Sequence, residues 1–251
     1  MFNQQSFSKL FLAPIFVGAL SFSLPLNAGV LGFWAADGWS TLDSEDGVGS
    51  GGYVGPGWGG QSFDAEYLFY KQDGNLLSIG LQSGFDLVNG EQAYADHEYF
   101  AGDLALAFNG GAYDYAVDFG FETKDIDGVN AGGAPDAEGL YSVSSWNNNI
   151  SFAVSSPFAM DSGSLLTGVT STSGFATLVD GTSYFRTATF DLAALGFETN
   201  SFSAHWTMSC GNDVVEGSAD VATDVPEPAT LLLMAGGLFG LFGGRRLRRR
   251  A

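Results

Sequence analysis

The sequence is short of the residues that build metal and redox centres. Its 251 residues include one cysteine, Cys210, and two histidines, His97 and His205. A single cysteine forms no intrachain disulfide, and no Cys-x-x-Cys or Cys/His cluster is present to hold a structural zinc. Positive charge is equally scarce along most of the chain. Of nine Lys and Arg, five lie in the last seven residues, and a sixth, Lys9, lies near the start. Between Gly29 and Glu227 only Lys71, Lys124 and Arg186 stand against 28 Asp and Glu, a formal charge of −25. Such a surface repels phosphate backbones, which excludes nucleic acid as a partner, while it keeps the body soluble and attracts cations. Gly-x-Ser-x-Gly elbows, phosphate-binding loops and His-Glu-x-x-His pairs are also missing.

What is present begins with two distinctive ends. Lys9 precedes an almost wholly apolar run, Leu10 to Phe22, and then Pro25-Leu-Asn-Ala28. A positive start, a short apolar stretch and a small-residue junction make a secretory leader, residues 1–28, cut by signal peptidase between Ala28 and Gly29. No cysteine follows the junction, so a lipoprotein anchor is not supported. At the other end Val225-Pro226-Glu227-Pro228 precedes an apolar run from Ala229 to Gly244 and the cluster Arg245, Arg246, Arg248, Arg249 and Arg250. Sixteen apolar residues as a helix span about 24 Å, a little short of the ~30 Å hydrocarbon layer, so the arginines must snorkel to the interface. They hold the tail in the cytoplasm and leave the acidic body outside. The two prolines break the helix and keep the preceding segment extended, the conformation that processing enzymes grip.

The body, residues 29–213, reads as β structure punctuated by glycine. Tyr113 to Phe119 and Phe202 to Cys210 alternate large apolar with small or polar residues, the mark of half-buried strands. Asp103 to Phe108, Ser183 to Phe190, Ile150 to Val154 and Gly174 to Val179 are further strands. Glu66 to Lys71 and Leu76 to Leu81 flank Gln72-Asp-Gly-Asn75 and read as a hairpin. Many short strands with Gly, Asp and Asn turns predict an all-β fold, an antiparallel β-sandwich or jelly roll. Ala193-Ala-Leu-Gly196 fits one helical turn. Gly47 to Gly60 and Thr123 to Glu138 read as long loops, and 214–224 as an acidic linker.

The C-terminal pattern resembles a known signal. Pro226-Glu227-Pro228, the apolar helix and the arginine cluster, residues 225–251, are similar to the PEP-CTERM sorting signal. The resemblance implies recognition by exosortase, a membrane-embedded transpeptidase-like enzyme of Gram-negative bacteria that make extracellular polysaccharide. Within the body, Leu77 to Asp86, Gly102 to Leu106, Tyr113 to Gly120 and His205-Trp-Thr-Met-Ser-Cys-Gly-Asn-Asp213 resemble segments of exosortase-dependent surface proteins. That likeness implies a location rather than a chemistry.

Several residues are candidates for binding or catalysis. Asp125, Asp127 and Asn130 place three oxygen side chains around a glycine turn, half of a calcium loop without its closing Glu; a plain Asp/Gly turn is the favoured reading, and calcium the weaker one. No other cofactor is expected. Trp34, Trp39, Tyr53 and Trp58 cluster among Gly and Asp, as aromatic platforms do in sugar-binding modules; core packing is the alternative. Trp206 belongs in the core with Phe202 and Cys210, which turns His205 to the surface or a groove. Cys210 reads as a buried, inert thiol, or one that pairs with a second chain. Asp64 and Glu66 share a strand face, the minimum a glycosidase needs, although 28 acids offer many such pairs by chance.

The leading expectation is therefore an exported protein, first anchored in the inner membrane and then placed at the cell surface or in an extracellular, biofilm-associated matrix. It would serve there as a non-enzymatic structural or adhesive protein. Its partners would be the secretion machinery, exosortase and extracellular polysaccharide. A carbohydrate-binding module is the first alternative, and a glycoside-active enzyme the second.

Overall fold

The central hairpin shows how the sequence pattern becomes structure. β2 (Ala65–Asp73) and β3 (Leu76–Ser83) are joined by Gly74-Asn75, and Gly74 takes φ +57°, a left-handed value that glycine adopts without penalty. Leu68 on β2 and Leu77, Ile79 and Leu81 on β3 point into the main core. Tyr67 and Phe69 point to the opposite face. In this computed structural model the described residues are 29–35, 38–45, 53–55, 58–130, 137–179 and 181–222. The leader with Ala28, and the segment 225–251 with Val225, Pro226, Glu227, Pro228 and the five arginines, lie outside the described residues.

The chain is all-β, with antiparallel sheets and no α-helix among the described residues. A five-stranded sheet runs β1-β2-β3-β11-β10, where β1 is Ser40–Ser44, β10 Thr170–Thr177 and β11 Thr182–Asp191. A six-stranded sheet runs β13-β12-β6-β7-β8-β9. Its strands are β6 (Leu104–Phe108), β7 (Tyr115–Asp118), β8 (Gly139–Asn147), β9 (Ala159–Thr167), β12 (Ser201–Thr207) and β13 (Val214–Asp220). A small hairpin, β4 (Glu91–Tyr94) with β5 (His97–Phe100), stands apart. One hydrophobic cluster draws on both large sheets: Leu68, Leu77, Ile79 and Phe190 from the first, and Leu104, Val117, Phe202 and Trp206 from the second. Trp206 is fully buried, and its indole N–H donates to the Gly102 carbonyl at 3.0 Å. The expected helical turn forms as a 3-10 turn, Leu192–Leu195, with the Asp191 carboxylate accepting from Ala193 N and Gly196 closing it at φ +76°.

Two expectations are corrected. Ile150 to Val154 is not a strand. Ser151 N and Phe152 N donate to the carbonyls of Ser209 and Cys210, and Ala153–Ser155 forms a 3-10 turn. Pro157 has no N–H with which to extend a ladder from there. The acidic linker begins later than residue 214, because Val214–Asp220 is strand β13, paired residue for residue with β12. Val215 is buried in the core while its acidic and small neighbours face out, so half-buried alternation was hidden under charge.

Candidate functional site

The outer face of the five-stranded sheet is covered by the first residues of the body. Trp34 stacks on Phe69 at 4.4 Å between ring centroids and meets Phe33 and Trp39 edge-on at 4.8 and 5.0 Å. It can lie that close because Gly80 has no side chain: a Cβ there would sit 2.4 Å from the indole ring. Gln82 fastens the segment. Its carbonyl oxygen accepts from Leu31 N at 3.0 Å and from the Trp34 indole N–H at 2.7 Å, and its amide donates to the Gly29 carbonyl and to Glu66. Trp34 is 4% exposed and its N–H is engaged, so it is a packing residue and not a ligand platform. Trp39 is half-buried beside it, with the Lys71 ammonium 4.9 Å from its ring centre.

Tyr53 and Trp58 lie elsewhere, and Trp58 lines a cavity of about 590 Å³ assembled from five separate segments. Trp58 and Gly59 come from the glycine-rich loop, and Phe63 from the 3-10 turn Gln61–Phe63. Tyr94 and Tyr99 come from the β4–β5 hairpin, Ser151 and Phe152 from the segment before the 3-10 turn, and Cys210 and Asn212 from the turn after β12. Tyr53 packs edge-on to Trp58 at 5.2 Å and parallel to Phe152 at 6.1 Å. Phe63 meets Tyr99 and Tyr94 edge-on at 5.1 and 5.8 Å. Trp58 is 40% exposed and Tyr94 62%, so both present ring surface to solvent.

Asn212 positions the loop. Its amide donates to the Trp58 carbonyl, its side-chain oxygen accepts from the Cys210 thiol, and its own carbonyl accepts from Gly55 N at 3.1 Å. Gly59, at φ +104°, allows this approach: a Cβ there would lie 2.9 Å from the Asn212 amide nitrogen. Burial pushes the Cys210 thiol up to about 12, which keeps it protonated and unreactive at neutral pH. Burial also raises the Tyr99 phenol, with Cys210 a smaller cause, so its O–H stays available as donor and acceptor. Aromatic faces with phenol groups and no charged side chain in the lining suit a neutral, hydroxyl-bearing ligand with apolar ring faces.

The other candidates are braces in this fold. Asp125 Oδ1 accepts from Asp127 N and Val129 N, both at 2.9 Å. The Asn149 amide reaches one oxygen of Asp125 and one of Asp127, also at 2.9 Å, while Asn130 bridges to Lys124. The Asp125 and Asp127 oxygens face N–H donors, the chemistry of a self-closed turn. His205 is buried, not on the surface: Nε2 faces the Ser155 carbonyl at 3.0 Å, Nδ1 faces Glu216 at 3.2 Å, and Tyr113 lies alongside. The Ser155 carbonyl belongs to the 3-10 turn Ala153–Ser155. Burial, and secondarily Glu216, push the Tyr113 phenol up to about 12. Asp64 precedes β2, and Glu66 sits at a bulge, accepting from Gln61 at 2.6 Å and Ser183 at 2.7 Å. Tyr94, Tyr99, Phe152 and Asn212 were not singled out in the sequence; the only local sign was the Cys-Gly-Asn-Asp turn.

Residues 224–250 match the family model of the PEP-CTERM protein-sorting motif. The chain therefore carries the signal that the Pro-Glu-Pro, apolar and arginine pattern suggested, and with it the mark of an exported, membrane-anchored precursor processed by exosortase. No curated protein and no solved structure matches the chain. Among the described residues no helix is long and apolar enough to cross a membrane; the apolar run 229–244 lies outside them.

Proposed function

We propose that exosortase removes the C-terminal signal within Val225 to Ala229. The processed body then stands at the cell surface or in the extracellular matrix of a Gram-negative bacterium as a non-enzymatic structural or adhesive β-sandwich. The observation that carries this reading is the sorting motif at 224–250 joined to a body of formal charge −25. A single hydrophobic cluster lined by both sheets supports the sandwich. The engagement of Glu66 by Gln61, Gln82 and Ser183 supports a non-catalytic body, because a general acid or nucleophile must be open to substrate. Intact mass of the exported protein, from cells with and without exosortase, tests it. The expected species begins at Gly29, ends near Glu227 and needs the enzyme. A full-length species retaining Arg250 in both strains overturns it.

The cavity at Trp58 favours a glycan as the adhesive partner. Exposed Trp and Tyr rings beside phenol hydroxyls suit stacking on sugar rings, and an uncharged lining avoids adding to the body's negative field. Titration with the cells' own extracellular polysaccharide tests it, with Trp58→Ala and Tyr94→Ala expected to lose binding.

A further inference from the structure

Each large sheet has two edge strands, and the two sides of the molecule differ. On one side β1 and β13 meet. Glu216 N donates to Asp43 Oδ2 at 3.1 Å, and a Cβ on Gly217 would lie 2.6 Å from the Leu42 carbonyl oxygen. These strands carry Asp43, Glu216 and Asp220, so this side is both covered and charged, two devices that stop edge-to-edge pairing. On the other side the edges are β9 and β10.

β10 reads Thr170-Ser-Thr-Ser-Gly-Phe-Ala-Thr177, with no charge and no proline. It pairs with β11 through eight registered residues, and among the described residues no strand lies on its other flank, so alternate N–H and C=O groups point out of the sheet. Phe175 is 65% exposed and Val179 98%. From Gly163 to Val179 the chain has no charged residue, although residues 29–227 hold 28 acids.

We propose that β10 is a self-association edge, to which a second copy of this chain adds its own β10 antiparallel, merging two five-stranded sheets into one. Charge selects the occupant. Two bodies of −25 repel over most of their surfaces, and this neutral edge lets them approach to strand spacing without facing like charges. Symmetry agrees, because an antiparallel strand pair about a two-fold axis is self-complementary. With Ser173 opposite its symmetry mate, Phe175 covers Ser171 of the second copy, and the outward backbone groups of both strands find partners.

Disulfide trapping of the purified full-length chain in detergent tests this. Single cysteines are placed at Thr170, Thr172 or Ser173, with Ser218→Cys on β13 as the opposite-edge control. The native chain, whose Cys210 is buried, sets the background. Mild oxidation is expected to give a dimer band peaking at Ser173→Cys, falling at Thr172→Cys and reaching background at Thr170→Cys and Ser218→Cys. Adding Phe175→Lys to Ser173→Cys should cut the dimer at least tenfold while the melting temperature holds, since the residue is exposed. Raising salt from about 0.01 M to about 1 M shortens the screening length from roughly 30 Å to 3 Å and should increase the dimer. No dimer above background at any β10 position, equal trapping at Ser218→Cys, or a dimer that weakens with salt overturns the proposal.

Discussion

Two groups of aromatic residues, close in sequence, end in opposite roles. Trp34 and Trp39 are clasped onto the outer face of a sheet, whereas Trp58 lines a cavity and Tyr53 packs on Trp58 and Phe152 of that lining. What separates them is not residue type but what each meets. Trp34 finds the bare backbone of Gly80 and the acceptor of Gln82, while Trp58 is held through its backbone by Asn212 and meets Tyr53 edge-on, leaving the ring 40% exposed. The first arrangement buries the ring, and the second displays it.

That contrast predicts a graded set of losses. Trp34→Ala should cost about 3–5 kcal/mol of folding stability in urea denaturation, the range for emptying a large buried site; a loss below about 1 kcal/mol would show that the clasp is superficial. Gln82→Leu removes the acceptor shared by Leu31 N and the Trp34 indole, and should cost about 2 kcal/mol by the same measurement. Trp58→Ala should move stability by no more than about 0.5 kcal/mol. It should instead weaken polysaccharide binding about tenfold or more, about 1.4 kcal/mol, read by calorimetry.

A further expected effect concerns pH at the cavity lining. The Cys210 thiol stays protonated to about 12 in the fold but ionises near 8.5 when unfolded. Between those values the unfolded chain binds fewer protons, so stability falls as pH rises. The urea midpoint should therefore drop from pH 8 to pH 10.5, and Cys210→Ala should flatten that slope. Tyr113, held up to about 12 against an ordinary 10, adds a further decline above pH 10 that the variant retains.

The strands legible in the sequence were those whose inward residues are large. Leu77, Ile79 and Leu81, or Phe202 and Trp206, announce a period of two whatever lies between them. β8, β9 and β13 were missed because Ser, Gly and acidic residues fill their outward positions and their inward ones are few. Ile150 to Val154 carried the pattern of a strand but was claimed by the turn after β12. The cavity was partly legible: Trp58 stood out, whereas Tyr94, Tyr99, Phe152 and Asn212 join it only through long-range folding. The placement of Trp34 was settled by Gly80 and Gln82, far along the chain.

β13 has a consequence for the geometry of processing. Both backbone groups of Ala222 are hydrogen-bonded to the Gln72 side chain on β2, at 2.7 and 2.8 Å. The folded body therefore grips the chain up to residue 222, and Pro226 lies four residues beyond it. Four residues reach about 14 Å at full extension. A cut at the proposed position within Val225 to Ala229 therefore falls within a few residues of the folded body. The proposed processing step must then act beside a domain of strongly negative charge, with little chain to separate the two.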